Sequence, residues 1–365
     1  MQQATISAAK NIVKKCINFN LEKLKANQEV DHAPVYLHSS PGIGKSSIVL
    51  QTAKELGIGF IDVRLAQMEQ SDVAGIPFVA TSAEVMKISV PEWFPSKEKI
   101  EKGEKPQYGI LFFDELSNAP LGVQHAAYGI ILDRMVHGVE LGDGWQIVAA
   151  GNLKTDKTGA KGVAPALANR FGTHLEIKAT LEDFSNYAVS KGFNHQIIGY
   201  LNFQPANLYS FDPAKTGSDV AFATPRSWEM VSRHLERGYT QDEIVPILVG
   251  CVGERVSTDF MAFQKYYMKL PNFVDIMDGK EEYKVPQNDM GLMFAVSSSL
   301  IACLMTNADN KKRVENLKKV MVQMPDDFLV LIYKSMKPNE SVSAKIFVQT
   351  MDIFKKIVKY IQKEA

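Results

Sequence analysis

The sequence predicts an α/β protein: a parallel sheet covered by helices on both faces, followed by a helical C-terminal part. Three observations lead there. Between residues 35 and 177, short apolar runs alternate with segments of helical periodicity, the order in which parallel strands are connected. The first run leads into Ser39-Ser40-Pro41-Gly42-Ile43-Gly44-Lys45-Ser46, a GxxxxGKS pattern with serine at the first glycine position, and a helical pattern follows it. From Trp228 onward the strand pattern disappears and apolar residues recur at helical spacing.

Composition sets the outer bounds. A chain of 365 residues, 45% hydrophobic and 22% charged, is long enough for two or three compact units. Its formal net charge of zero gives no whole-chain electrostatic argument for nucleic acid or an acidic membrane surface, although a local patch stays open. The three cysteines, Cys16, Cys251 and Cys303, are far apart and lack ligand spacing, which fits a reducing compartment. No leader-like start and no apolar run of membrane length is read, so a cytoplasmic location and no membrane are expected. The seven histidines are equally scattered, and the only metal expected is nucleotide-bound magnesium.

Taken in order, Ile6, Ala9, Val13, Cys16, Ile17, Leu21 and Leu24 fall on one face of an amphipathic helix. Lys10, Lys14 and Lys15 lie mostly elsewhere and are expected on a solvated face, with contact to phosphate or nucleic acid as the alternative. Residues 27–34 form a polar connector. Val35-Tyr36-Leu37-His38 reads as a buried strand, and Ile48, Val49, Thr52, Ala53 and Leu56 as a helix stopped by Gly57. The glycine loop therefore opens a helix, whose unpaired first amides and dipole attract anions. Pro41, Gly42, Ile43, Gly44, Lys45, Ser46 and Ser47 make up the candidate nucleotide loop: the glycines let N–H groups curl toward phosphate oxygens, Lys45 reaches the β and γ phosphates, and Ser46 offers its hydroxyl to magnesium. The plain alternative is a glycine turn followed by a surface lysine.

Phe60 to Arg64 reads as a second strand, and Gln70-Ser71-Asp72 as the start of a short helix ending near Gly75. Residues 76–95 carry two short apolar runs, 77–80 and 86–90, around Thr81-Ser82-Ala83-Glu84, which suits a hairpin projecting from the main sheet. Phe78, Trp93 and Phe94 either grip a partner or pack under that hairpin. Residues 97–105 read as a charged, solvated connector. Ile110-Leu111-Phe112-Phe113 is the continuous apolar run of a strand covered on both faces, and it ends in Asp114-Glu115. Acidic groups at a strand's carboxyl end face the crevice of an open parallel sheet, where Asp114 suits magnesium and Glu115 suits taking a proton from an attacking water. Val123, Ala126, Ala127, Ile130 and Ile131 give a helix, residues 134–144 a turn or small hairpin, and Ile147 to Ala150 a strand ending in Gly151-Asn152. Asn152 on its own is a turn residue; in series with Lys45 and Glu115 it reads as a group that orients the water or senses the γ-phosphate. Residues 155–162 form a loop, Ala164 to Phe171 a short helix starting at Pro165, and His174 to Ile177 a fifth strand.

The phosphate loop, Asp114-Glu115, Asn152 and Asn169-Arg170-Phe171, with Arg64-Leu65-Ala66-Gln67, the run 114–120, the segment 143–152 and Thr224-Pro225-Arg226-Ser227-Trp228, resemble the AAA+ ATPases and within them the MoxR-like branch. That resemblance spans roughly residues 30–270 and implies a five-stranded sheet of order 5-1-4-3-2, a helical lid and extra C-terminal helices. It implies ATP and magnesium as ligands and a homo-hexameric ring with nucleotide between neighbours. Arg170 then matches the arginine finger given to the next subunit, and Arg226 matches sensor 2 of the lid. Without the resemblance, Arg170 reads as a helix-end arginine bonding the last carbonyls, and Arg226 as a surface arginine inside a proline-started helix. The implied division is an N-terminal helix and connector over 1–33, a core over 34–205 with an insert near 76–95, a lid over 206–280 and a C-terminal extension over 281–365. The inserts, 76–95 and 136–146, would face the ring pore or a client. The implied activity is chaperone-like remodelling of a protein partner, often a von Willebrand factor A domain protein. The alternatives are a nucleic-acid motor or loader, and an assembly switch with little turnover.

In the helical part, Trp228, Val231, Ser232 and Leu235 start one helix, Thr240-Gln241-Asp242-Glu243 is a capping box for the next, and Ile244, Ile247, Leu248, Cys251 and Val252 form its inward face. A charged segment over 278–287 marks a boundary. Ile346, Phe347, Ile353, Phe354, Ile357, Val358 and Ile361 make a final apolar stripe, expected to pack rather than to bind a partner.

Overall fold

The apolar runs meet in one sheet. The computed structural model describes residues 3–79, 86–156, 162–215, 221–337 and 339–361, with the side chains of 215 and 358–361 also outside the description. The turn expected at Thr81-Ser82-Ala83-Glu84, the middle of the loop expected over 155–162, and the side chains of Val358 and Ile361 lie outside the described residues. The chain divides into two compact units, Met1–Lys178 with Asp212–Thr216, and Ala179–Phe211 with Gly217–Ala365.

The first unit carries strands β1 (Gln3–Thr5), β2 (Val35–His38), β3 (Gly59–Arg64), β4 (Pro77–Val79), β5 (Met86–Ile88), β6 (Gly109–Asp114), β7 (Met135–Val136), β8 (Val139–Glu140), β9 (Trp145–Gly151) and β10 (Thr173–Lys178). Its helices are α1 (Ile6–Lys25), α2 (Lys45–Leu56), α3 (Gln70–Ala74), α4 (Lys97–Glu101), α5 (Leu121–Asp133) and α6 (Pro165–Ala168). Six strands form a sheet in the order β1-β10-β2-β9-β6-β3, and every adjacent pair is parallel. With the five strands anticipated from the sequence numbered along the chain, this is the order 5-1-4-3-2. The continuous apolar runs lie inside the sheet: Ile110 to Phe113 and Ile147 to Ala150 are fully buried. The sixth strand, β1, has no apolar run to announce it, and it is held at the edge by backbone pairing to β10 and by Gln3 Nε2 donating to Glu176 Oε1 at 2.9 Å.

Several expectations in this unit need correction. Lys10 and Lys14 of α1 do not simply face water, since both pair with Glu55 of α2 at 2.6 and 3.0 Å. The connector over 97–105 contains the short helix α4, whose N-cap Ser96 accepts from the Lys99 amide at 3.3 Å. Phe94 is fully buried and Trp93 packs against the same core, its indole N–H donating to Asp72 O at 3.1 Å, so neither is a gripping residue. Phe78, on the β4–β5 hairpin, remains 47% exposed.

The second unit is helical: α7 (Leu181–Ser190), α8 (His195–Phe203), α9 (Pro225–Leu235), α10 (Gln241–Val252), α11 (Glu254–Tyr267), α12 (Phe273–Met277), α13 (Met290–Asn307), α14 (Lys311–Met321), α15 (Asp326–Met336), α16 (Glu340–Gln349) and α17 (Met351–Ile361). One core gathers around Trp228, Tyr200, Phe260 and Phe263, the other around Leu300, Leu317, Ile332 and Phe354. The last apolar stripe packs, as expected, with Ile346, Ile353, Phe354 and Ile357 all buried. The capping box at Thr240 forms, Glu243 accepting from the Thr240 amide at 2.8 Å. One absence fails: α13 is long and apolar enough to cross a membrane, with a mean hydropathy of 1.5 over 18 residues, but 61% of that window is buried within the protein as a core helix would be.

Candidate nucleotide site

The sheet brings the anticipated loop, Asn152 and Asp114-Glu115 to one end. β2, β9 and β6 are adjacent and parallel, so their carboxyl ends deliver the glycine loop, Asn152 and Asp114-Glu115 side by side. The loop after β2 curls through two left-handed glycines, Gly42 (φ 77°) and Gly44 (φ 108°), before α2 begins at Lys45. A Cβ built on Gly44 would meet nothing within 4 Å, so open space lies on that side of the helix N-terminus.

Lys45 is surrounded by oxygen. Its ammonium donates to Ser39 O at 2.8 Å, Ser39 Oγ at 3.0 Å, Ser40 O at 3.4 Å and Asn152 Oδ1 at 3.0 Å. Next to it, Ser46 Oγ donates to Asp114 Oδ2 at 2.6 Å, while the Glu115 amide donates to Asp114 Oδ1 at 2.8 Å. Both Asp114 oxygens are thereby oriented. Glu115 sits in the left-handed region (φ 57°), a strained conformation for a residue with a Cβ, and its side chain is exposed. Asn152 is held through its amide, which donates to Ser117 Oγ at 2.9 Å.

The remaining two candidates are placed differently. Arg170 follows α6, and its Nη1 donates to Ala166 O at 2.8 Å, which is the helix-end bonding that the residue type suggests without any resemblance. Its guanidinium also lies over the Tyr128 ring at 4.8 Å, and its Nε is buried with no hydrogen-bond partner. Arg226 belongs to the helical unit, exposed in the first turn of α9 after Pro225. Pro41, Ile43 and Ser47 all lie in the loop and first turn as anticipated, with Ile43 buried beneath it.

Four groups escaped sequence reading. Ser39, standing at a glycine position, is fully buried and supplies an acceptor to Lys45. Ser40 donates to Asp156 Oδ1 at 3.0 Å, joining the loop to the segment after β9; the other Asp156 oxygen is buried and unpartnered, and burial raises that carboxyl's pKa. Tyr36 and Ser117 crowd the backbone before Asn152, since a Cβ on Gly151 would come within 2.3 Å of the Tyr36 hydroxyl and 2.9 Å of Ser117 Oγ. His38, the last residue of β2, faces His174 of β10 at 2.9 Å, and its pKa is lowered to about 4, first by burial and then by His174 and Lys45. Motif spacing carries no signal for these contacts, because they join residues up to 136 positions apart.

The donor set fits a magnesium nucleotide. An ammonium beside open space at a helix N-terminus suits phosphate oxygens, and a hydroxyl with an oriented carboxylate is the oxygen pair that a hard, hydrated cation takes.

No family model matches the sequence, and no curated protein does. Solved structures that the fold is similar to include the Thermotoga maritima RuvB Holliday junction branch migration motor, 16% identical, with 73% of this chain covering 74% of that one at a TM-score of 0.36. A variant of the same RuvB is 14% identical over 93% of this chain and 87% of that one, at a TM-score of 0.35. Likeness at this level says nothing about substrate or partner.

Proposed function

We propose that this chain is an AAA+ ATPase of the MoxR-like kind, which hydrolyses magnesium ATP in a homo-hexameric ring and uses the motion to remodel a protein partner. The observation that supports it is the convergence of Lys45, Ser46, Asp114 and Asn152 at the ends of three neighbouring strands. Lys45 leaves its four oxygen acceptors for the β and γ phosphates, while the loop amides take the remaining phosphate oxygens. Ser46 and Asp114 hold magnesium, which when bound offsets phosphate charge. Glu115 takes a proton from the water that attacks the γ-phosphorus, and Asn152, already bonded to Lys45, orients that water. The bond to the ADP oxygen breaks, and ADP and phosphate leave. Arg170 stabilises the transition state in a neighbouring subunit, and Arg226 serves as sensor 2 of a lid over 206–280, in a chain divided into an N-terminal helix and connector over 1–33, a core over 34–205, that lid and a C-terminal extension over 281–365. The partner class is a von Willebrand factor A domain protein, and the location is the cytoplasm.

The test is ATPase activity per subunit across a wide protein-concentration series, with Glu115→Gln as the blank. Activity that rises with concentration and saturates is expected if Arg170 acts in trans; ATP binding with no turnover at any concentration would instead favour an assembly switch. Adding duplex DNA to the same assay examines the nucleic-acid motor, for which stimulated, salt-sensitive turnover is the signature.

A further inference from the structure

The two histidines below the phosphate loop form a bridge whose chemistry is fixed by its far end. His174 Nε2 lies 2.9 Å from Ala168 O, the last carbonyl of α6, and a carbonyl can only accept. His174 must therefore carry its proton on Nε2. While His174 is neutral its Nδ1 is a bare acceptor, and His38 Nε2, 2.9 Å away, is then the donor. The hydrogen bonds run in one direction, from the residue that precedes Ser39 to the helix that precedes Arg170. Aromatic packing stiffens the path: His38 lies against Tyr36 at 3.9 Å, Tyr36 against Phe171 at 4.8 Å, and Phe171 against His174 at 5.8 Å.

The far end needs such a tie. Helix α6 is four residues long, too short to hold its place by its own hydrogen bonds. The Arg170 side chain is fastened to that helix through Ala166 O, so where α6 sits decides where the guanidinium sits. At the other end, the Lys45 ammonium bonds Ser39 O and Ser39 Oγ, one residue beyond His38.

We propose that His174 is a positioning residue that couples the strand entering the phosphate loop to the Arg170 turn, so that a phosphate drawing Lys45 off Ser39 is felt at Arg170. This rests on the ATPase reading for its consequence, though not for the bridge itself. His174 touches no phosphate and acts through Ala168 and His38.

Two measurements separate the bridge from the activity. Nitrogen-15 imidazole spectra of the full-length protein without nucleotide should show both His38 and His174 as Nε2–H tautomers, with His174 Nδ1 in the shift range of a hydrogen-bonded acceptor. A His174 proton on Nδ1 overturns the bridge, whatever the protein does with ATP. In the second, His174→Phe keeps the ring contacts but removes both nitrogens, and should lower kcat about tenfold or more while nucleotide affinity stays within about twofold, as misplacing a catalytic group without touching the cradle does. His174→Gln, whose amide can still donate to Ala168 O, should recover most of that loss. Equal kcat in wild type and His174→Phe overturns the coupling; affinity falling in step with kcat overturns it too, because His174 would then merely support the loop. A wild type that binds ATP without turnover in the concentration series overturns the ATPase reading, and the spectra still decide the bridge.

Discussion

The two units distribute their polar groups differently. In the sheet unit, charged and polar side chains collect at the strand ends and hold one another: Lys45 among four oxygens, Asp114 between Ser46 and the Glu115 amide, Asp156 with one oxygen unpartnered. In the helical unit, buried polar groups are scattered singly around aromatic cores: the Trp228 indole donates to Asn207 O at 2.9 Å, Ser297 and Ser299 return their hydroxyls to the preceding turn, and Ser185 Oγ and Tyr283 OH are buried with no partner among the described residues. The difference lies in density: polar groups scattered through a core mark structure, whereas a charged cluster gathered at strand ends marks a place built for something else.

The sharpest way to break that contrast is to remove one group from each side. Glu115→Gln should keep nucleotide affinity and lower turnover by about a hundredfold or more, as loss of a positioned general base does; turnover within a few-fold of wild type would remove Glu115 from the chemistry. Lys45→Ala should abolish measurable nucleotide binding and lower the melting temperature slightly, since buried Ser39 loses a donor while no core contact is removed. In the helical unit the pattern should invert. Trp228→Ala empties a fully buried site and leaves Asn207 O without its donor, which should cost about 3–5 kcal/mol in denaturant unfolding. A loss under 1 kcal/mol would mean that this core is looser than its packing implies.

A smaller effect concerns pH. His38 is ordinarily protonated near pH 6.5, but in the folded protein burial, His174 and Lys45 hold its pKa at about 4. The unfolded chain therefore takes up a proton that the folded one refuses, and stability should fall as pH drops from 6.5 toward 4. His32 is lowered to about 4 as well, mainly by burial, so His38→Phe should flatten the slope of melting temperature against pH only in part. An unchanged slope would show that His38 is not held neutral by the fold.

Much of the first unit was legible because parallel strands covered on both faces are continuous apolar runs, and because a phosphate loop and an acidic strand end sit at fixed places in such a sheet. Lys45, Ser46, Asp114 and Asn152 could be picked out that way, and they do converge. Ser39, Ser40, Ser117 and Asp156 could not, since a hydroxyl or carboxylate earns its role here from a partner far along the chain. β1 was missed because Gln3-Ala4-Thr5 is too short and polar to signal a strand. Trp93 and Phe94 were left between two readings, because a sequence shows that a side chain is large and apolar without showing which core it reaches.

One feature of the cradle bears on how far the protein could be made hardier. Glu115 occupies a backbone conformation that glycine adopts freely, and the fold gains nothing visible from having a carboxylate there. Glu115→Gly should therefore raise the melting temperature, with a gain of about 1 kcal/mol at most, while extinguishing turnover. Under the proposed ATPase reading, heat resistance and catalysis would then compete for a single residue, and a selection for thermal survival alone would erase the chemistry while sparing the fold.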